Sequence, residues 1–581
     1  MACPTPEEEL PPTLLLAKAL SMVPLSHYFL TLASLLLVFL YNFLEIHFLG
    51  DLRRGLRGDR VALTFDPASK IYQEVASKCR SLHGRYLVTP WLASPHLQTA
   101  FLNFFGRAPV FCYRRQIYTV NDGGTIALDW LLASDVAGVS SESVQNISKD
   151  DSTPIAIVVP GLTSDSASPY LRHIVHKTAK QGWNVVVGNH RGLGGMSITS
   201  DRFYNAGWTD DVREVVNYLH REYPKAPLFA IGTSIGANIL VKYLGEEGEN
   251  TPIAGAASIC STWDLVVCDR FINRKLVQRL YDRALAYGLK GYAQLHEPAL
   301  TRLANWDGIS NSRTVRDFDN HATCIVGKYE TVDTYYRHCS AVNFVKGISV
   351  PLLCVSALDD PVCTSEAIPW DECRANKNIV LATLPHGGHL AFFKGLTAHS
   401  LWWVGAVNEF LSALYSSPHM HGPKKIDNTG VHFPLESSID KTPYVNVMED
   451  GMIAAVRNSV SEEAETMTSS DGHPTEEMKP HDVVAARDES EDTHEARTTS
   501  VHEIIEPSGE KAHEESLSKI FDGMISPVKR SINQLSRQSG KSMWLLAYIA
   551  IVTTWPLVGS ALLSILKKRL KGVPSVAGLR R

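Results

Sequence analysis

Short apolar runs alternate with amphipathic helical patterns through the middle of the chain, from about residue 89 to residue 415. The helical patterns, such as 210–219 and 237–244, repeat apolar residues three and four positions apart. The runs between them are rich in β-branched residues and too short for helices. Strands and helices alternating at these lengths predict a parallel sheet covered by helices on both faces. The predicted strands are 155–159, 183–188, 228–231, 253–259, 352–355 and 379–384.

An uncharged apolar run, residues 22–44, lies near the N-terminus. Its length matches the roughly 20 residues that a helix needs to cross a hydrocarbon core. A secretory signal peptide is the alternative, but Glu7, Glu8 and Glu9 precede the run against one basic residue, Lys18, and no clear small-residue cleavage site follows. We therefore expect an uncleaved membrane helix. The positive-inside rule places the downstream chain in the cytosol, because four arginines follow the run: Arg53, Arg54, Arg57 and Arg60.

The chain after residue 416 is poor in aromatic residues and strongly acidic. Residues 461–515 contain 17 acidic and 4 basic side chains, a composition that buries too little apolar surface to offset the entropy of ordering. We expect a disordered linker over residues 417–528. A second uncharged apolar run, residues 543–566, has Pro556 near its centre. This run is predicted to associate with a membrane, either as a kinked span or as a shallow hairpin.

The overall composition excludes several classes of function. With 44% hydrophobic and 20% charged residues, the chain can bury a sizeable core. The formal charge of −5 gives no electrostatic support for nucleic-acid binding. The ten cysteines are scattered without a C-x-x-C pair, which argues against a disulfide scaffold or a structural zinc site. A cytosol-facing globular core with reduced thiols fits this pattern.

A glycine–serine motif lies where a predicted strand meets a predicted helix. Gly232-Thr-Ser234-Ile-Gly236 has the G-x-S-x-G pattern of a nucleophile elbow, in which the serine lies on a tight turn and the glycines allow close backbone approach. The alternative is an ordinary glycine-containing turn of a doubly wound sheet, because this motif also occurs by chance. The motif therefore needs partners elsewhere in the chain.

Acid and base candidates follow in the order serine, aspartate, histidine, each directly after a predicted strand. Asp359 and Asp360 follow the fifth strand, where a carboxylate can hold the tautomer of a histidine. Adjacent residues of an extended segment point in opposite directions, so only one of the two faces the site. His386 and His389 lie on a glycine-bearing loop after the last strand, where a general base is expected. Three such residues in this order are more typical of a serine-hydrolase site than of three unrelated turns at the ends of strands.

An oxyanion hole requires backbone N–H groups beside the nucleophile. The first predicted strand ends in Pro160-Gly-Leu-Thr163, a glycine-containing turn at the same edge of the sheet. We expect the N–H groups of Leu162 and Ile235 to be the two donors. The alternative is an ordinary turn at the end of a strand.

With these residues in place, the chain resembles the α/β-hydrolase fold and, within it, the AB-hydrolase-4 group. That group includes ABHD-type membrane lipid hydrolases, yeast ethanol acyltransferase/esterases and plant embryogenesis-associated proteins. The resemblance covers residues 90–414, over half of the chain. Its motifs stand in the order of the family: Ser94-Pro-His-Leu-Gln-Thr99, Pro160-Gly-Leu-Thr163, Asn189-His-Arg-Gly-Leu-Gly-Gly195, Phe203-Tyr-Asn-Ala-Gly207 with Thr209-Asp-Asp211, Ser234, Asp359-Asp360-Pro361 and Gly387-Gly388-His389.

The resemblance implies that Ser234 is the nucleophile, Asp360 the acid and His389 the base. The chain departs from the family at two places. The usual His-Gly-Leu-Thr-Gly-Gly oxyanion loop is Pro160-Gly-Leu-Thr-Ser-Asp165 here, and Ile235 replaces the leucine or phenylalanine that family members often carry. Backbone donors survive both changes, which therefore bear on catalytic efficiency more than on catalysis itself.

The expected protein is a membrane-anchored serine hydrolase with a helical cap at about 260–346, cleaving acyl or lipid esters through an acyl-enzyme on Ser234. No metal or organic cofactor and no nucleic-acid partner is expected, and the endoplasmic reticulum is the favoured membrane. Two alternatives stay open. An acyltransferase would use the same three residues with an alcohol as acceptor, and a non-catalytic scaffold would use the acidic tail to bind a partner.

The charge pattern predicts the topology of the chain. Basic residues also precede the second apolar run, so both runs place the region 89–415 in the cytosol. A full second span would carry Lys567, Lys568 and Arg569 across the membrane, whereas a hairpin bent at Pro556 would leave them cytosolic. Protease digestion of sealed microsomes, with epitope tags within residues 461–515 and after Arg581, should destroy the linker tag. A protected linker tag would contradict the cytosolic placement; a protected C-terminal tag would exclude only the hairpin.

Overall fold

The computed structural model describes residues 20–137 and 147–422, with Thr13 and the antiparallel strand pair Val445–Val447 and Ile453–Ala455. The chain divides into two compact units, Met1–Ile426 and Asp427–Arg581. The second apolar run and most of the predicted linker 417–528 lie outside the described residues; the described parts of that linker are residues 417–422 and the strand pair just named. The fold below is that of the first unit.

A nine-stranded sheet forms the centre of this unit, in the spatial order β1-β9-β8-β7-β6-β4-β5-β3-β2. The six strands from β9 to β5 are parallel, and the outer strands β1, β3 and β2 pair antiparallel. The predicted α/β-hydrolase fold with its mostly parallel sheet is confirmed. In chain order the strands are β1 Ala62–Phe65, β2 Arg114–Thr119, β3 Thr125–Leu131, β4 Ile155–Val159, β5 Asn184–Gly188, β6 Leu228–Thr233, β7 Ile253–Ile259, β8 Leu352–Ala357 and β9 Ile379–Leu384.

Ten helices position the site or the core: α1 Leu25–Phe43, α2 Phe48–Arg53, α3 Pro95–Phe105, α4 Pro169–Ala179, α5 Asp210–Glu222, α6 Ile235–Glu247, α7 Leu265–Ile272, α8 Leu276–Leu295, α9 Val332–Cys339 and α10 Trp402–Tyr415. Shorter α-helices are Lys70–Glu74, Arg80–His83, Ala133–Val136, Glu297–Leu303, Trp306–Asn311, Val315–Phe318, Cys324–Gly327 and Trp370–Ala375. Short 3₁₀-helices are Ala76–Lys78, Pro90–Leu92, Gly248–Asn250, Ala341–Gly347 and Ser365–Ala367, and Asp319–Thr323 is a π-helical turn. Minor strand pairs are Asp59–Arg60 with Arg85–Tyr86 and Phe393–Lys394 with Ser400–Leu401.

The core consists of two apolar layers, one on each face of the sheet. Helices α4 and α10 cover one face, where Leu171, Trp403 and Phe410 are buried. Helices α5 and α6 cover the other, where Leu219 and Leu240 are buried. Because both faces are covered, every residue of the central strands β4, β6, β7, β8 and β9 is buried. This explains why these strands are nearly continuous apolar runs in the sequence.

The sheet extends beyond the strands predicted from the sequence. Strand β1 precedes residue 89 and forms one edge of the sheet, and β2 forms the other edge, with β3 paired beside it. Edge strands pair on one side only and need no continuous apolar run; β2 alternates exposed and half-buried residues. The sequence pattern of these edges is therefore weak.

Residues between β7 and β8 form a helical cap that includes α7, α8 and α9. Two small apolar clusters join the cap to the sheet domain. Near the N-terminus, the 19-residue helix α1 is about 28 Å long and has no buried residue. Within the described ranges it is the one helix that is long and apolar enough to cross a membrane, by length and composition.

Asn238 links the sheet domain to the end of the cap. This α6 residue is fully buried, and its amide donates to the carbonyls of Ala206 and Cys339, at 2.9 and 2.8 Å. Its side-chain oxygen accepts the N–H of Ala341 at 2.9 Å. One side chain therefore satisfies three backbone groups from two distant segments.

Asn238→Ala should destabilise the domain strongly, because three buried backbone groups lose their partner at about 1–3 kcal/mol each. The matched control is Asn408→Ala: Asn408 is equally buried, but its amide donates only to Val404 within α10. Thermal unfolding of the full chain in detergent micelles should show a much lower midpoint for Asn238→Ala than for Asn408→Ala. Equal midpoints would contradict the linking role.

Candidate active site

Ser234 lies on the turn between β6 and α6, with backbone angles of φ 55° and ψ −122°. Its N–H donates to Ile259 of the neighbouring strand at 2.9 Å, which holds the strained turn against the sheet. A side chain on Gly236 would overlap the carbonyls of Val159 and Pro160. Glycine at this position therefore lets the first turn of α6 pack directly on the end of β4.

His389 and Asp360 complete a hydrogen-bonded chain with Ser234. The Nε2 atom of His389 lies 3.0 Å from Ser234 Oγ, and its Nδ1 atom lies 2.9 Å from Asp360 Oδ2. Asp360 is 3% exposed, and its carboxylate also accepts the N–H groups of Val362 and Cys363. A buried carboxylate held in this way can fix the imidazole tautomer that leaves Nε2 free to accept the serine proton.

The second member of each predicted pair occupies a different place. Asp359 accepts the N–H groups of Gly387 and Gly388, at 2.9 and 3.0 Å, and lies 3.2 Å from Nδ1 of His386. The two aspartates therefore diverge, although Leu358 and Asp359 form a turn after β8 rather than the extended segment that the sequence analysis assumed. Asp360 contacts the ring of His389, while Asp359 binds the backbone of the loop that carries His389.

The turn after β4 approaches Ser234 from the other side. A Cβ atom on Gly161 would lie 3.3 Å from Ser234 Cβ, so this turn runs beside the nucleophile. The N–H of Gly161 donates to the hydroxyl of Tyr170, and the N–H of Thr163 donates to the hydroxyl of Tyr204, both at 3.0 Å. The Leu162 N–H between them has no hydrogen-bond partner within the described residues.

Ile235 supplies the second candidate donor. It is the first residue of α6, and N–H groups in the first turn of a helix have no acceptor within the helix. The partial positive charge at that end of a helix also favours an anion. The structure thus places both predicted donors on segments that flank Ser234.

A buried polar network supports the turn after β4. Burial lowers the pKa of His190, so at neutral pH the neutral ring donates from Nε2 to the carbonyl of Pro160 at 2.9 Å. Its ring stacks on Tyr204, with centroids 4.4 Å apart. Asp129 is 1% exposed and binds Arg115, Ser166 and Asn189.

Further contacts in the same region hold Arg191, whose guanidinium bonds Asp211 and Asp122. Since Arg191 directly follows His190, this buried ion pair fixes the segment that supports the turn. Arg191 and Asp211 are in the family motifs without touching Ser234, and their contacts support the geometry of the turn.

Two clusters of potential metal ligands lie at the site. In one, Cys260 adjoins Asp360 and His389, but burial and the neighbouring Asp360 raise the pKa of the Cys260 thiol well above its usual value. The thiol therefore stays protonated and is a poor metal ligand. In the other cluster, the His47 and His386 rings stack in parallel with centroids 3.6 Å apart. Stacked rings do not direct their nitrogen lone pairs toward one point, so this arrangement fits ring packing better than coordination.

Apolar residues of the cap surround the candidate oxyanion donors. Ile235 belongs to one apolar cluster with Val332, Tyr335 and Tyr336 of α9, and the half-buried Leu162 packs against that cluster. On α8, a Cβ added to Gly288 would lie 3.2 Å from Thr163 Oγ1. The cap therefore rests directly on the turn after β4, and the wall beside Ser234 is apolar.

Comparisons with known proteins agree with this fold and site. The embryogenesis-associated protein EMB8 of Picea glauca is 33% identical over 388 residues, which are 64% of this chain and 84% of that protein. The chain belongs to the AB-hydrolase superfamily, in its ABHD-type family. The family described as Hydrolase_4, serine aminopeptidase S33, matches residues 151–393 of this AB hydrolase.

Two further relatives match this AB hydrolase over a slightly smaller share of its length. Phospholipase ABHD3 of Mus musculus is 30% identical over 342 residues, covering 59% of this chain and 81% of that protein. Monoacylglycerol lipase of Saccharomyces cerevisiae is 29% identical over 367 residues, covering 57% and 81%. Each relative is thus matched over most of its own length.

All five residues predicted for the site lie around one point of this AB hydrolase: Ser234, Asp360, His389, Leu162 and Ile235. The sequence analysis missed the residues that support them, namely Tyr170, Tyr204, Cys260 and Thr99, whose hydroxyl accepts the N–H of His389 at 2.9 Å. Thr99 ends the Ser94–Thr99 motif, which was a signal without an assigned role. Tyr204 likewise lies in the Phe203–Gly207 motif, to which no role was assigned, whereas the contact of Tyr170 with Gly161 has no local sequence pattern.

Proposed function

We propose that the protein is a membrane-anchored serine hydrolase that cleaves carboxylic esters of lipids. The observation that carries the proposal is the hydrogen-bonded chain from Ser234 Oγ through His389 to Asp360. A serine on a strained turn, with an imidazole at hydrogen-bond distance and a carboxylate behind it, is arranged for nucleophilic attack on a carbonyl carbon.

The reaction proceeds through two displacements. Ser234 Oγ attacks the ester carbonyl while its proton passes to His389 Nε2, and the N–H groups of Leu162 and Ile235 stabilise the oxyanion. The tetrahedral intermediate collapses, the alcohol leaves with the proton from His389, and the acyl group stays on Ser234. Water then attacks the acyl-enzyme with His389 again as base, which releases the acid and restores the serine.

Two observations support a lipid substrate. The wall beside Ser234 consists of apolar side chains from α9 and from the turn after β4, which suits an acyl chain. Relatives that the chain matches over most of their length are named a phospholipase and a monoacylglycerol lipase. An anchor formed by α1 would keep the enzyme at the surface where such substrates reside.

A fluorophosphonate probe should label the wild-type protein covalently, and Ser234→Ala should abolish the labelling. The matched control is Ser258→Ala, because Ser258 is buried on the adjacent strand β7 and its hydroxyl has no hydrogen-bond partner among the described residues. Removal of that hydroxyl should leave labelling intact. Gel fluorescence and mass spectrometry of the labelled peptide measure both outcomes; undiminished labelling of Ser234→Ala at another serine would overturn the assignment.

Gly288→Ala should slow ester hydrolysis, because the added Cβ presses on Thr163 next to the Leu162 donor. Loss of a whole oxyanion donor costs about 10²–10³ in kcat, so a displaced donor should cost roughly 5- to 20-fold. Gly291→Ala is the control. Gly291 lies on the same helix as Gly288, but a Cβ atom added to it would meet no other atom within 4 Å. Initial rates with p-nitrophenyl butyrate should fall for Gly288→Ala alone; equal rates for the two variants would contradict the contact between cap and oxyanion turn.

A further inference from the structure

The chain that follows α1 packs onto the catalytic domain rather than leading away from it. We call residues 44–51 the juxtamembrane segment. Leu44 is buried, and its carbonyl accepts the hydroxyl of Ser94 at the start of α3. The N–H of His47 donates to the carbonyl of Ala93 at 2.9 Å. Two hydrogen bonds therefore hold this segment against the beginning of α3.

His47 extends from this segment to the loop that carries the catalytic histidine. The His47 and His386 rings are 3.6 Å apart and within 6° of parallel. Asp51 is 6% exposed and lies 2.6 Å from Nδ1 of His47, which sets the orientation of the ring. Burial and the neighbouring His386 lower the pKa of His47, so at neutral pH its ring stacks without a charge.

The loop needs external support because of its composition. We call residues 385–389 the histidine loop. Gly387 and Gly388 have no side chains to restrict the backbone, and Gly388 has a positive φ of 59°. The loop is held by Asp359 through two backbone N–H groups, and by Thr99 of α3 through the N–H of His389. His386 joins the same support through its contact with Asp359.

These contacts form one connected structure between the membrane helix and the catalytic base. Helix α3 binds the juxtamembrane segment at its first turn and the histidine loop through Thr99. His386 is held from two sides: His47 stacks on one face of its ring, and Asp359 lies beside its Nδ1 atom. We propose that the juxtamembrane segment is a positioning element of the active site, with His47 and Asp359 as positioning residues that hold His389 at its distance from Ser234.

This inference rests on the proposed function and deepens it, because the membrane anchor then takes part in organising the active site. Two lines of geometry support it. The segment contacts the loop through a side-chain stack, and it contacts α3 through the main chain. An ion pair from Glu45 to Lys275, with 3.0 Å between charged atoms, joins the same segment to the start of the cap helix α8.

The first test compares His47 variants of the full chain in detergent micelles, with p-nitrophenyl butyrate as the probe. His47→Ala removes the stack and should lower kcat on the order of 10-fold with KM unchanged, because a base displaced by a fraction of an ångström loses its alignment. His47→Phe keeps an aromatic face against His386 and should retain kcat within about twofold. The split between kcat and KM, and the rescue by phenylalanine, distinguish positioning from a general loss of folded protein.

The matched control is His176→Ala. His176 also stacks on a ring, that of Phe111, but it lies in the last turn of α4. Its removal should leave kcat unchanged. Asp359→Ala, which removes the acceptor of both glycine N–H groups, should lower kcat at least as much as His47→Ala.

Hydrogen–deuterium exchange supplies a readout that does not depend on activity. Peptides covering residues 385–392 should exchange faster in His47→Ala and Asp359→Ala than in the wild type or His176→Ala, because the support of the Gly387 and Gly388 amides is lost. Unchanged exchange in His47→Ala, or wild-type kcat in that variant, would overturn the inference. Failure of the probe to label wild-type Ser234 would instead overturn the proposed function, while the exchange result would still decide whether the segment supports the loop.

Discussion

The close approach of α6 to the end of β4 is the constraint on which the site depends. Gly236 packs against the carbonyls of Val159 and Pro160, where a side chain would overlap both. This contact sets the distance between the turn that carries Ser234 and the turn that carries Leu162. Because β4 and β6 are also paired in register from Ile155 to Val159, neither turn can shift alone. The strained backbone of Ser234 is then maintained by the sheet rather than by its own preference.

The parallel order of the strands accounts for how much the sequence predicts. The strand limits 155–159, 253–259 and 379–384 coincide with the observed strands, since strands buried on both faces are continuous apolar runs. The carboxyl ends of parallel strands meet at one edge, so residues that directly follow β4, β6, β8 and β9 are brought together by topology alone. The edge strands β1 and β2 escaped prediction because an edge requires no such run. Strand β3 lies inside the sheet, but the buried Asp129 interrupts its apolar residues. The choice of Asp360 over Asp359 came from the family resemblance. The roles of Tyr204 and His47 depend on contacts between residues that are distant in the sequence, and a local sequence pattern does not reveal such contacts.

Buried polar groups explain several motif residues that do not touch the nucleophile. Asn189 binds both Asp129 and the N–H of Ser166, and His190 binds the carbonyl of Pro160. A buried ionic or polar network contributes little net stability to the fold. Removal of one partner is nevertheless costly, because the other partner is left buried without a hydrogen bond, so the network favours one geometry. Here that geometry leaves the Leu162 N–H available while the N–H groups on either side of it are occupied by tyrosine hydroxyls. The departures from the usual oxyanion sequence are compatible with the role we propose for Leu162, because the availability of its N–H depends on the hydrogen bonds of its neighbours and not on its own side chain.

The candidate active site draws on two parts of the chain. The family match at residues 151–393 contains Ser234, Asp360, His389 and the turn after β4, which are the groups to which we assign the proposed chemistry. The residues that hold the histidine loop from outside, Thr99 and His47, lie before residue 151. In our proposal, this upstream region restricts a loop that its two glycines leave free. Since that region is continuous with α1, the same contacts also hold the chain at the end of α1 against the start of α3. If α1 lies in a bilayer, the catalytic base and the membrane surface are joined by a short, packed segment, and the organisation of the base becomes a property of the anchored protein.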